Sequence, residues 1–166
     1  MTITQPTGYL AQPSSGAGDP VLVLHAWWGL NDTIRALCDR LAAEGFVAFA
    51  PDLYHGHLAD TIPGAEALAQ GLHYEQAKAE VAAAADFLND YAGPSPRGLA
   101  VIGFSLGASY ALDFVAGAPD NLRSVVLFYG TGDTDVGRSN AAFLGHFAAN
   151  DPYESPEYVD GMERCV

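Results

Sequence analysis

The sequence predicts an α/β fold, a mostly parallel β-sheet flanked by helices, on three observations. Short apolar runs (VLVL, FVAFA, LAVIGF, VVLFY) alternate with stretches of helical periodicity, the pattern of parallel strands joined by crossover helices. The first run, VLVL, is continuously apolar rather than alternating, as expected of a strand covered on both faces. The segment Gly103-Phe104-Ser105-Leu106-Gly107 falls where one run hands over to an apolar-faced helix.

Taken in order, residues 21–24 form the first strand. Asn31 or Asp32 caps the next helix, where Ile34, Leu37, Cys38, Leu41 and Ala42 recur at i, i+3, i+4 spacing. Gly45 ends that helix, residues 46–50 read as a strand, and Pro51 closes it. Residues 52–71 make a loop and a short helix, and an alanine-rich helix spans 74–91. Pro94 and Pro96 mark a turn before a central strand over 99–104. Residues 105–117 are helical, 125–129 and 141–147 are strands, and a last helix begins near Ser155 with Pro156 at its first position.

Composition sets bounds. With 166 residues, 49% hydrophobic and 16% charged, the chain suits one compact domain over 1–166 and argues against disorder. Seven Lys plus Arg face twenty Asp plus Glu, a formal net charge of -13, which argues against nucleic acid or an anionic membrane as partner. The N-terminal twenty residues carry no basic and apolar leader pattern, and no apolar run approaches the ~20 residues of a membrane span, so a cytoplasmic location is expected. Cys38 sits on an apolar helical stripe and Cys165 near the end; the pair makes no disulfide framework.

The segment 103–107 matches G-x-S-x-G. In a nucleophile elbow the serine occupies a strained turn between strand and helix, and the flanking glycines let the backbone pack closely. The other reading is a glycine-rich turn with a serine N-cap. Acyl transfer also needs donors aimed where charge develops on the carbonyl oxygen. The N–H of Leu106, after the nucleophile, is one expected donor, and the loop His25-Ala26-Trp27-Trp28-Gly29 after the first strand is the expected source of the other.

With these residues in place the chain resembles the dienelactone hydrolase family of α/β-hydrolases. HAWWGLND (25–32), APDLYHG (50–56), GFSLGA (103–108), FYGTG (128–132) and GHFAANDPY (145–153) carry the resemblance, in the family's order. It implies Ser105 as nucleophile, Asp151 as triad acid, and the Trp27 and Leu106 amides as oxyanion hole. Asp151 suits that role independently, in a loop after a strand and later than the serine, although a turn aspartate before Pro152 would look the same. The founding enzymes have cysteine at the position of Ser105 and a glutamate at that of Ala26, so the resemblance implies a more general ester, lactone or thioester hydrolase. Family members continue past the position of Val166 with further strands and a histidine-bearing loop. The chain therefore reads as a domain lacking the C-terminal strands, of low activity, with an open sheet edge that invites a homodimer or aggregation.

All five histidines, His25, His55, His57, His73 and His146, precede Asp151. Only His55 and His57, with Tyr54 on the loop after the second strand, are expected to reach the pocket edge. A metal on His55, His57 and Asp52 or Asp60 lacks a third ligand of diagnostic spacing, so neither metal nor cofactor is expected. Two functions compete: a serine hydrolase acting through an acyl-enzyme, and a small-molecule-binding or interaction protein that keeps the pocket without turnover. A dinucleotide site finds no support, because no G-x-G-x-x-G follows a strand.

Overall fold

In the computed structural model, residues 4–117 and 119–164 are described; Cys165 lies outside them. Six strands form one sheet: β1 (Gly8–Ala11), β2 (Asp19–Leu24), β3 (Phe46–Pro51), β4 (Leu99–Phe104), β5 (Leu122–Phe128) and β6 (Ala142–His146). Their spatial order is β1-β3-β2-β4-β5-β6. β1 runs antiparallel to β3, and every other pair is parallel. The helices are α1 (Asp32–Ala43), α2 (Ile62–Gly71), α3 (Tyr74–Ala92), α4 (Leu106–Ala116) and α5 (Pro156–Glu163).

The helix boundaries follow from local chemistry. Asn31 takes extended backbone and its side chain accepts the Ile34 N–H, which settles the choice of cap for α1. Ser155 caps α5 in the same way, with Pro156 at the first position. The apolar spacing of α1 buries Ile34, Cys38 and Ala42 against the sheet. β1 is an element that the sequence reading lacks. Its four residues, GYLA, are too short to register a period of two, and it forms by pairing Gly8 with Pro51 and Ala11 with Ala48.

Strand alternation splits the core in two. Leu22, Leu24, Val47 and Phe49 face α3 and α4 in the larger cluster, which also takes Val81, Leu88, Leu112 and Val115. Val21, Val23, Ala48 and Ala50 face α1 in the smaller one. α1 packs on β3 and β1, α3 on β3 and β2, and α4 on β4 and β5.

The order has one functional consequence. From β2 the chain leaves through α1 toward β3, and from β4 it leaves through α4 toward β5 on the other side. Between the C-terminal ends of β2 and β4 the direction reverses, which is where open α/β sheets leave a crevice for ligands. Leu24 pairs with Gly103 there, so the loop after His25 and the turn at Ser105 are neighbours.

Candidate active site

Ser105 follows the last residue of β4 and precedes the first residue of α4. Its backbone has φ 50 and ψ -115, a conformation that L side chains rarely adopt. The surroundings hold it there. Its N–H donates to the Phe128 carbonyl at 2.9 Å, and its own carbonyl accepts the Ala108 N–H at 2.8 Å. A Cβ at Gly107 would collide with the Leu24 carbonyl oxygen, and one at Gly103 would lie 2.6 Å from that of Gly107. Both glycines are therefore required by close backbone approach between β2, β4 and α4.

The loop after β2 is pinned by His25, which is fully buried. Its Nδ1–H donates to the Ala26 carbonyl at 2.8 Å, and its Nε2 accepts the Leu53 N–H at 3.2 Å. Both ring nitrogens are thereby committed with the imidazole neutral, and burial pushes its pKa below the usual histidine value. His25 ties the loop after β2 to the loop after β3 and is not available as a base. A turn closed by Gly29 N–H on the Ala26 carbonyl then carries Trp27 and Trp28 outward. Among the described residues, the Trp27 and Leu106 N–H groups donate to no protein acceptor.

Asp151 lies in the loop after β6. Its Oδ1 accepts the N–H groups of Tyr153 at 2.8 Å and Glu154 at 3.2 Å, so the carboxylate folds its own loop. Glu154 in turn accepts the N–H and the hydroxyl of Thr131. This ties the loop after β6 to the turn after β5, where Tyr129 has φ 42.

These loops enclose a cleft of about 330 Å³ that brings together Ser105, Asp151, Trp27 and Ala26 from the sequence-predicted set. Leu106 adjoins it as the residue after Ser105. Trp28, Ile62, Tyr129, Tyr153 and Glu154 complete the lining and were not foreseen. Tyr129 ahead of its GTG turn and the DPYE segment are the signals that could have found three of them.

Tyr54, His55 and His57 lie elsewhere, which corrects the expectation that they border this cleft. They line a second cleft of about 250 Å³ against α2 and α3, with His73 and Glu80. His55 Nε2 is 3.4 Å from a Glu80 carboxylate oxygen. The buried Tyr54 hydroxyl has no hydrogen-bond partner among the described residues, and burial pushes its pKa up to about 12. The loop after β3 passes against Gly29, with the His57 carbonyl 2.7 Å from where a Gly29 Cβ would be, and its side chains share their cleft with α2 and α3. His146 stacks on Phe128 at 4.6 Å. Among the described residues, no histidine lines the Ser105 cleft.

Residues 7–166 match the dienelactone hydrolase family. Protein usf of Aquifex pyrophilus is 40% identical over 129 residues, which cover 74% of this chain and 55% of its own length. The solved structure m3DLH aligns with a TM-score of 0.79 at 30% identity, over 95% of this chain and 69% of that one. A dienelactone hydrolase-like promiscuous phosphotriesterase from metagenomic libraries aligns with a TM-score of 0.80 at 25% identity, again over 95% and 69%. The chain thus spans about half the length, 55%, of the first curated relatives that it matches.

Proposed function

Since the chain belongs to the dienelactone hydrolase family, we propose that it carries an ester-hydrolase site centred on Ser105, acting on small carboxylic esters, lactones or thioesters. The observation that supports this reading is the strained serine turn opening onto the same cleft as Asp151 and Trp27. In the proposed reaction the Ser105 hydroxyl attacks the ester carbonyl and its proton passes to solvent water, which in turn protonates the departing alkoxide. The Trp27 and Leu106 amides hold the oxyanion, the alcohol departs, and water then releases the acid from the acyl-enzyme. Asp151 is the triad acid of this proposal.

A second reading, a binding protein without turnover, draws on the lack of a histidine lining that cleft among the described residues. A positioned base contributes about 10²–10⁴-fold, so slow turnover is expected of the chain alone. The two readings part on chemical rescue. Added imidazole should accelerate p-nitrophenyl acetate hydrolysis by the chain well beyond its effect on the Ser105→Ala variant. Equal acceleration of both would remove Ser105 from the reaction and leave the binding reading standing.

For assembly, we propose that a second copy pairs along β6. Its five residues are exposed or half-buried, and it forms an edge of the sheet.

A further inference from the structure

We propose that the Ser105 cleft selects uncharged substrates and rejects those that carry a free carboxylate. The inference rests on the ester-hydrolase reading and specifies the substrate class of the same site.

The charged groups that line the cleft are Asp151 and Glu154, and both are acidic. Each is anchored through acceptor contacts, Asp151 by two backbone N–H groups and Glu154 by the N–H and hydroxyl of Thr131. Neither is free to swing away from an approaching anion without losing those bonds. None of the seven Lys and Arg residues of the chain lines the cleft. Several are engaged elsewhere: Arg35 lies over the Tyr9 ring, Lys78 over the Tyr74 ring, and Arg97 beside Asp19. A substrate carboxylate would meet no guanidinium or ammonium, two like charges, and the field of a chain with net charge -13.

The rest of the wall is suited to an apolar group. Trp27 stands edge-on to Trp28 at 5.6 Å and to Tyr153 at 5.8 Å, and Ile62 and Tyr129 complete the surface. A neutral aromatic or alkyl ester gains burial there.

The chain contains two tryptophans, Trp27 and Trp28, and both line the cleft, so intrinsic fluorescence reports occupancy directly. The test titrates the full chain with phenylacetamide and phenylacetate, which differ in charge and little in shape. Phenylacetamide is expected to bind about tenfold or more tightly than phenylacetate, the ratio narrowing as salt is added. Glu154→Gln should recover several-fold of the difference. Ile62→Arg, which adds a cation at an exposed rim position, should shift the ratio of the two affinities several-fold toward phenylacetate. Phenylacetate binding as tightly as phenylacetamide to the unaltered chain would overturn the charge selection and leave the cleft a ligand site. Quenching by neither probe would overturn this inference and the reading beneath it together.

Discussion

The two halves of the sheet are built from similar sequence and end in different surroundings. In β2 and β3 every residue after the first is buried, because α1 covers one face and α3 the other. In β4 only alternate residues are buried, β5 follows the same rhythm over its last four, and β6 is exposed or half-buried throughout. α4 covers one face of β4 and β5; Ile102, Phe104, Val126 and Phe128 point to the other and remain half-buried. Yet LAVIGF is as apolar as FVAFA. An apolar run records that a strand tolerates cover on both faces, and the cover itself depends on elements elsewhere in the chain. On the open side the aromatic rings cover one another: Phe104 stacks on Phe128 at 4.8 Å, and Phe128 stacks on His146.

Truncating one ring in each half tests that contrast with the largest expected effect. Phe49 is fully buried on β3 and packs edge-on to Phe87 at 5.0 Å. Phe49→Ala should cost about 3–5 kcal/mol in urea unfolding. Phe104→Ala, on the half-covered face, should cost about 1–2 kcal/mol. Equal losses would mean that the open face is covered in solution.

A smaller effect comes from His25, at the end of the doubly covered β2. Burial lowers its folded pKa below the ordinary histidine value of 6.5, so the unfolded chain binds the proton more readily. Its contribution to stability is therefore complete above pH 6.5 and is lost as pH falls from there toward the folded value, at up to about 1.4 kcal/mol per pH unit. Unfolding free energy followed over that window should decline, and His25→Asn should flatten the decline.

The smallest change in stability is expected on β6. Leu144 is 54% exposed, so Leu144→Lys should shift unfolding by no more than about 0.5 kcal/mol. A charge there should nevertheless weaken self-association, read by sedimentation. A dimer that is indifferent to Leu144→Lys would move the proposed pairing away from β6.

The legible features were those written in local chemistry. A cap at Asn31 or Asp32, a last helix beginning near Ser155, and Ser105 between strand and helix follow from neighbours within a few residues. The features that were not legible depend on partners far along the chain. β1 exists through β3, which the chain reaches only after β2 and α1. Tyr54, His55 and His57 stand on a loop after a central strand, as pocket residues do, but that loop passes against Gly29 and its side chains share their cleft with α2 and α3. Ile62 reaches the cleft from the start of α2, where no periodicity marks it.

The backbone at Ser105 carries a last consequence. Holding an L residue at φ 50 and ψ -115 costs on the order of 1–3 kcal/mol, a strain that glycine would relieve. Ranked by melting temperature alone, variants of this chain would drift toward Ser105→Gly and discard the hydroxyl. A stabilisation campaign must therefore freeze this position before it begins, and in an unfamiliar chain a residue that resists the geometry around it is a marker to read before any motif.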